Sequence, residues 1–243
     1  QCAAAIRAAR KNDSGVMVIY GAHLIKNGAH QLLDRLMAGG WLTHLATNGA
    51  GVIHDWEWAH QGQSTESVRA NVATGTFGTW DETGRNLHLA ILAGATRDEG
   101  FGQSVGRFVE ENGTTLPDPA ELEADPTPAN AELLAAMRTH DLAPGHHKID
   151  HPWRQTCVLA STFRHGIPLT VHPGIGYDII SNHPMFNGAA LGRAADLDFR
   201  LFGGTVETLD HGVVLSVGSA IMGPQVFEKS LSCVNNLRLQ DGR

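Results

Sequence analysis

This sequence of 243 residues has few cysteines and no long apolar run, two features that often indicate the class of a protein. It holds three cysteines, Cys2, Cys157 and Cys233, at spacings that match neither a disulfide framework nor a metal-binding pair, which is typical of a reducing compartment. It has no run of about 20 apolar residues that would span a bilayer, and no signal-peptide pattern opens it. We therefore expect a cytoplasmic protein that does not enter a membrane.

Positive charge is scarce as well. The chain has 18 lysines and arginines against 25 acidic residues, for a net charge of −7, and its basic residues never run longer than a pair. Nucleic-acid-binding proteins usually present a basic face, so we expect no nucleic-acid partner and a small-molecule substrate instead. The hydrophobic fraction of 42% at this length is enough for a large buried core.

Apolar runs alternate with helical patterns along the chain. Each of four runs is followed by a loop rich in glycine, asparagine or histidine and then by a helix: Val16–Tyr20, Leu42–Ala46, Ile167–Val171 and Val213–Val217. Such runs are typical of parallel strands that are covered on both faces. The sequence predicts an α/β fold with a Rossmann-like, open, mostly parallel sheet and helices on both faces.

The order of these patterns indicates one domain over residues 1–243, with an exposed excursion rich in proline and acidic residues around 112–150. Both ends of the chain fall within or just after helical patterns. We therefore expect the natural protein to have further segments.

The predicted loops after the strands concentrate the glycines and polar residues. In open α/β sheets, ligands bind outside the carboxyl ends of the strands. Glycines there let the backbone approach a ligand, and a following helix start exposes N–H groups to a phosphate. The same glycines also suit ordinary turns, and no G-x-G-x-x-G fingerprint occurs. The candidate cofactor-binding glycines are Gly49, Gly51, Gly174, Gly176 and Gly218.

Candidate catalytic residues lie on or next to these loops. His54 or His172 would act as a base, and Asp55 or Asp178 would orient a histidine or bind a substrate amine. Lys26 would bind a phosphate or act as an amine nucleophile. Each of these side chains also suits a hydrogen-bonded or solvated position without chemistry, and no H-E-x-x-H pattern occurs, so no metal site is assigned.

Several of these loops resemble those of the deoxyhypusine synthase family, most closely a bacterial deoxyhypusine synthase-like branch. The resemblance begins with Leu24-Ile25-x-x-Gly28 and with Thr47-x-x-Ala50-Gly51-Val52-x-x-Asp55. It continues through Gly166–Val171, Asp178–Ile180 and Gly212–Gly218. It implies a Rossmann-like fold, NAD as cofactor and a homotetramer with sites at subunit interfaces.

By position, the resemblance implies NAD-binding roles for residues of three loops: His23, Thr47, Asn48, Gly49, Ala50, Gly218 and Ser219. The chain also departs from the family. The acidic pair that attracts the family's polyamine substrate is replaced by Ile53-His54, and the segment with the catalytic lysine has no counterpart here. The resemblance therefore does not carry over the transfer of an aminobutyl group to a protein lysine.

Three functions fit these observations. The first is an NAD-dependent enzyme that acts on a small amine, such as a polyamine, or on an alcohol. The second is a non-catalytic, NAD-binding or regulatory relative. The third is a metal-dependent hydrolase that uses His23, His54, His172, Asp55 and Asp178. Glu57 and the pair Asp81-Glu82 could supply carboxylates to a site, but on exposed helices such residues more often form a solvated face, and we interpret them so.

Overall fold

The computed structural model describes residues 1–64, 66–78 and 80–242. Its main sheet has four parallel strands in the order β5-β2-β1-β6. In chain order these are β1 (Val16–Tyr20), β2 (His44–Thr47), β5 (Leu169–Val171) and β6 (Val213–Val217). A separate antiparallel pair consists of β3 (Gly113–Leu116) and β4 (Gly145–Lys148).

Helices connect and cover the strands. The helices of the described residues are α1 (Cys2–Lys11), α2 (Ala22–Lys26), α3 (His30–Ala38), α4 (Gly49–Gln61), α5 (Val68–Thr74), α6 (Asp81–Ala95), α7 (Phe101–Glu110), α8 (Pro119–Ala124), α9 (Pro128–Thr139), α10 (Val158–His165), α11 (Gly188–Glu207) and α12 (Met222–Gln240). Two short 3-10 helices lie at Arg154–Thr156 and Ile179–Asn182. No described helix is long and apolar enough to cross a membrane.

Strand β1 shows why the sheet needs cover on both faces. All five of its residues are buried. Val16, Val18 and Tyr20 pack into the larger hydrophobic core, whereas Met17 and Ile19 pack into a second cluster with residues of α11 and α12. Successive side chains of a strand point to opposite faces, so both faces of β1 lie against helices. The fold is therefore the predicted α/β class, a Rossmann-like open sheet flanked by helices.

The strand order places a crossover beside β1. The chain passes from β1 to β2 and later to β5 on one side, and then crosses to β6 on the other side of β1. Val16 pairs with Val213 of β6, and Met17 pairs with His44 of β2. Ligands of open α/β sheets bind at such a switch point, outside the carboxyl ends of the strands. Here that point lies where β1 and β6 end.

The segment predicted as an exposed excursion around 112–150 carries regular structure, namely β3, α8, α9 and β4. Its apolar side chains Leu116, Leu122, Leu133 and Met137 are buried and belong to the larger core. Prolines at the first turns of α8 and α9 start these helices rather than break them. Two of the prolines that suggested a loop thus occupy the first turns of helices.

Smaller differences concern element boundaries. The loop predicted over Gly21–Gly28 contains the short helix α2. Strand β2 begins at His44, two residues after the predicted start. Just before it, the side chain of Thr43 binds the first residue of β1, since its Oγ1 accepts from Val16 N at 2.8 Å. Helix α12 extends well beyond the few apolar residues that indicated it.

Candidate functional site

Two glycines bring the ends of β1 and β6 together at the switch point. Gly21 N donates to the Val217 carbonyl at 3.0 Å. A Cβ on Gly21 would lie 2.1 Å from the Gly218 carbonyl oxygen, so this contact requires glycine. Gly218 adopts φ +68° and faces open space. Next to it, Ser219 is buried, and its Oγ accepts from Gly223 N in the first turn of α12 at 2.9 Å.

The start of α4 follows directly from the end of β2. Thr47 Oγ1 donates to the Tyr20 carbonyl at 3.0 Å, which ties β2 to the end of β1. Asn48 caps the helix, since its Oδ1 accepts from Gly51 N at 3.0 Å. A Cβ on Gly51 would lie 2.1 Å from Thr47 Oγ1. The glycine at this position is therefore required by packing, whether or not a ligand binds.

Asp178 occupies the place that an anion would take at this helix start. Its Oδ2 accepts from Gly49 N and from Gly174 N, both at 3.2 Å. Burial raises the pKa of its carboxyl group, and hydrogen bonds from the N–H groups of Gly174, Gly49 and Ala50 oppose that rise. A phosphate could bind the first turn of α4 only by displacing this carboxylate.

The loop after β5 contains the other two predicted glycines. A Cβ on Gly174 would overlap the ring of Tyr177, which lies 1.8 Å away, so a side chain there would require this exposed ring to move. Gly176 adopts φ +101° and faces open space. Gly176 and Gly218 are thus the predicted glycines whose surroundings leave room for a ligand.

His172 belongs to a buried network on the side of α11. Its ring Nε2 lies 3.0 Å from Thr170 Oγ1, which is also 3.0 Å from His44 Nε2. The rings of His172 and His44 both pack edge-on against Phe202. Burial lowers the pKa of His172 to about 4 and that of His44 to about 3. His172 is therefore a neutral residue in the interior, away from the cavity described below.

Asp55 is fully buried and caps a helix. Its carboxylate accepts from Val158 N at 3.0 Å, from Leu159 N at 2.7 Å and from Cys157 Sγ at 3.3 Å, which satisfies the start of α10. His30 Nε2 lies 3.6 Å from its Oδ1. Asp55 therefore lies on a different face of α4 from His54 and does not contact that histidine.

A cavity of about 210 Å³ opens beside α4. It lies between α4, α5, α6 and the 3-10 helix Ile179–Asn182. Three predicted site residues line it, namely Lys26, Ala50 and His54. Its other lining residues are Ile53, Glu57, Glu66, Val68, Phe77, Gly78, Trp80, Thr83, Gly84, Leu87, Ile179, Ile180 and His183.

A chain of hydrogen bonds runs along one wall of the cavity. Ser64 Oγ donates to Glu57 Oε2 at 2.8 Å and also contacts His54 Nδ1. Thr83 Oγ1 donates to Glu57 Oε1 at 3.2 Å. Because one hydroxyl donates only one hydrogen bond, Ser64 must accept from His54 Nδ1, which then carries the proton. His54 Nε2 is left with its lone pair and can accept a proton from a substrate.

The sequence interpretation missed three residues of this wall, Glu57, Ser64 and Thr83. One signal for Glu57 was present: Ala50, Ile53, His54 and Glu57 follow the i, i+3, i+4, i+7 spacing of a single helix face. The structure places this face against the cavity. Ser64 and Thr83 lie on other elements, and no spacing along the chain links them to His54.

The residues considered for a metal site are dispersed. Asp55 accepts hydrogen bonds from the start of α10, and Asp178 accepts one from the start of α4. His172 packs against Phe202, and His23 is exposed. Within residues 1–64, 66–78 and 80–242, no group of three or more histidine, cysteine or acidic side chains is placed to hold a metal ion. The geometry therefore gives no support to the hydrolase hypothesis.

Comparisons with known proteins give weak similarities. No family model matches the chain, and no curated protein matches it in sequence. The solved structures that resemble it include the apo form of ArgZ, an arginine dihydrolase from the ornithine-ammonia cycle in cyanobacteria, at 15% identity and a TM-score of 0.43 over 95% of this chain. This chain spans only 24% of the length of ArgZ.

This chain matches a larger share of two further structures. One is a proposed LOR/SDH protein from Methanococcus maripaludis S2, at 12% identity and a TM-score of 0.35, over 97% of this chain and 65% of that one. The other is a proposed deoxyhypusine synthase from Entamoeba histolytica, at 10% identity and a TM-score of 0.36, over 91% of this chain and 75% of that one. Similarities of this strength do not assign the chain to a family.

Proposed function

We propose that the chain binds NAD along the carboxyl edge of its sheet and uses it to oxidise a small amine or alcohol in the cavity beside α4. One observation carries this proposal, namely that cavity and switch point lie at the same edge. Lys26 follows β1, Ala50 and His54 follow β2, and Ile179 follows β5. A cofactor at the end of β1 would therefore lie next to a substrate in the cavity.

Two glycines at this edge leave room for a dinucleotide. Gly176 and Gly218 both have positive φ, and a Cβ on either would project into open space. Together with Ser219 and the exposed His23, these residues would hold the cofactor. The start of α4 fits less well, because the carboxylate of Asp178 already binds its N–H groups.

When bound, NAD supplies an acceptor for the hydride that leaves the substrate carbon. The residues of the chain then bind the substrate and manage its proton. The Nε2 atom of His54 takes the proton from the substrate nitrogen or oxygen, and Ser64 and Glu57 hold the ring in place. Phe77 and Trp80 contribute apolar side chains to the cavity wall around this step.

The proposal is tested by isothermal titration of NAD into the purified chain, with and without spermidine. We expect NAD to bind with micromolar or better affinity, and oxidation of an amine or alcohol that fits the cavity to appear as NADH absorbance. Binding without NADH formation from spermidine or from any other amine or alcohol would favour the non-catalytic alternative. Absence of NAD binding would overturn the proposal.

A matched pair of variants locates the cofactor. Gly218→Val places a branched side chain in the open space at the switch point, so we expect the Kd for NAD to rise at least about tenfold. Gly40→Val serves as the control, since Gly40 has a similar φ of +69° and open surroundings but lies before β2, at the opposite edge of the sheet. Equal effects of the two variants on NAD affinity would place the cofactor elsewhere.

Oligomeric state belongs to the same proposal. We expect a homotetramer, with light scattering after size-exclusion chromatography as the measurement. A monomer that binds NAD with full affinity would contradict the expectation that sites are completed at subunit interfaces.

A further inference from the structure

Lys26 is the only lysine or arginine among the described residues that line the cavity. It is the last residue of α2, and its side chain is half-buried and lines the cavity wall. No carboxylate of the described residues lies within ion-pair distance of it, although ion pairs are common elsewhere in the chain. A lysine without a counter-ion at a cavity wall favours a ligand that brings an anion.

Two carboxylates line the same cavity. Glu57 is only 5% exposed, and its oxygens accept from the hydroxyl groups of Ser64 and Thr83. Glu66 accepts from Gly78 N at 2.8 Å and from the side chain of Asn71. Within the described residues, neither carboxylate pairs with a lysine or an arginine, and both keep lone pairs that can accept from an ammonium group.

The space between these charges is small and largely apolar. Its volume of about 210 Å³ falls below the roughly 300 Å³ at which pockets for drug-sized ligands begin. Ile53, Phe77, Trp80, Leu87 and Ile179 supply the apolar walls. The cavity therefore suits a short aliphatic molecule that has both an anionic and a cationic group.

We propose that the cavity binds an aliphatic amino acid, whose carboxylate lies at Lys26 and whose ammonium groups lie at Glu57 and Glu66. This inference names the substrate class for the proposed oxidation and rests on that function for its chemistry, but not for binding. With one cation and two carboxylates, the lining complements a ligand that has one carboxylate and two ammonium groups. A polyamine has no anion for Lys26 and would add positive charge beside it.

The experiment compares two probes that differ only in the carboxylate. L-lysine and cadaverine share the same chain and the same two amino groups, but cadaverine has no carboxylate. We expect isothermal titration to give a Kd for L-lysine at least about tenfold lower than that for cadaverine. Equal affinity for the two, tighter binding of cadaverine, or binding of neither would overturn the inference.

Variants of Lys26 assign the preference to this residue. In Lys26→Met, we expect the Kd for L-lysine to rise about tenfold and the Kd for cadaverine to stay unchanged, so that the preference is lost. In Lys26→Arg, we expect the preference for L-lysine to remain. Lys11→Met, on the exposed surface of α1, serves as the matched control. If Lys26→Met loses its fold by circular dichroism, Lys26→Arg decides: retention of the preference supports the inference, and its loss overturns it.

Titration of NAD separates this inference from the proposed function. NAD binding without a preference for L-lysine would overturn the amino-acid site alone. A preference for L-lysine without NAD binding would overturn the proposed oxidation and leave the amino-acid site standing.

Discussion

At the scale of single residues, the hydrogen-bond chain from Glu57 through Ser64 to His54 defines the chemistry that the cavity can perform. A buried carboxylate is costly unless its lone pairs are satisfied, and Glu57 is satisfied by two hydroxyl groups. The hydroxyl of Ser64 is thereby committed as a donor to Glu57. The consequence is a fixed tautomer of His54, with its proton on Nδ1.

Removal of Ser64 tests this arrangement directly. In Ser64→Ala, His54 loses the acceptor that holds its Nδ1 proton, so we expect a mixture of ring tautomers and a turnover about tenfold lower. The tautomer is read from the ¹⁵N chemical shifts of the His54 ring, assigned by comparison with His54→Gln. Ser232→Ala, at an exposed position of α12, is the control. A wild-type ring spectrum in Ser64→Ala would show that Ser64 does not position His54.

The sequence predicts part of this site. Lys26 and His54 were selected because polar residues cluster after predicted strands, and Ala50 was selected by resemblance to an NAD-binding loop. All three line the cavity. Glu57 was interpreted as solvated surface because a carboxylate on a helix is usually exposed. Its burial depends on contacts with Ser64 and Thr83, which come from separate elements. Such contacts depend on tertiary structure and are not visible in spacing along the chain.

At the scale of elements, α4 separates two neighbouring residues that the sequence appeared to join. His54 and Asp55 are adjacent, which suggested that the carboxylate orients the imidazole. In a helix of 3.6 residues per turn, however, adjacent side chains point about 100° apart. His54 therefore faces the cavity, and Asp55 faces the start of α10.

This geometry predicts a structural effect for Asp55. Asp55→Ala leaves two buried N–H groups at the start of α10 without an acceptor, so we expect the free energy of unfolding to fall by about 2–4 kcal/mol. Urea denaturation measures the loss. Asp118→Ala, which removes the exposed cap of α8, is the control and should cost about 1 kcal/mol or less. A stability loss no larger than the control's would indicate that Asp55 does not hold α10.

The strands of the main sheet were the most predictable elements, because their apolar runs are easy to recognise in the sequence. Val16–Tyr20 is buried at every position, as expected where both faces of a sheet are covered. Such an apolar run can be recognised as a strand without knowing which strands pair with it. The residues around 112–150 were harder to interpret, because Pro119 and Pro128 begin helices that pack on distant parts of the core. Proline alone does not reveal whether it starts a helix or a loop.

At the scale of the whole molecule, buried histidines link stability to pH. His151 is 1% exposed and packs against the rings of Trp56, His60 and Phe108. Burial, together with the nearby His60 and Arg154, lowers its pKa to about 3. Because the unfolded chain gains the proton first, the stability that His151 contributes is full above a pH of about 6.5 and is lost as the pH falls towards 3.

The variant His151→Phe removes this dependence. Relative to the wild type, we expect its free energy of unfolding to improve by about 2 kcal/mol between about pH 8 and about pH 5. Asp198 acts in the opposite direction, because burial raises its pKa to about 7, but its contribution cancels in the difference between variant and wild type. His146→Phe, at an exposed position of β4, is the control. A difference that does not change with pH would contradict the assignment.

The pairing of β1 with β6 has a consequence for how the protein is made. The two strands are aligned from Val16 and Val213 to Tyr20 and Val217, so nearly the whole chain lies between partners that are hydrogen-bonded neighbours. Contacts of such long sequence separation form slowly, since a large loop must close before they are gained. On the ribosome, β1 would emerge before β6, and one of its edges would stay unpaired until the residues of β6 are synthesised. The residues that line the cavity are therefore all synthesised before β6, which completes the edge proposed to bind NAD. An unfinished chain can form the cavity before it can form the proposed cofactor site.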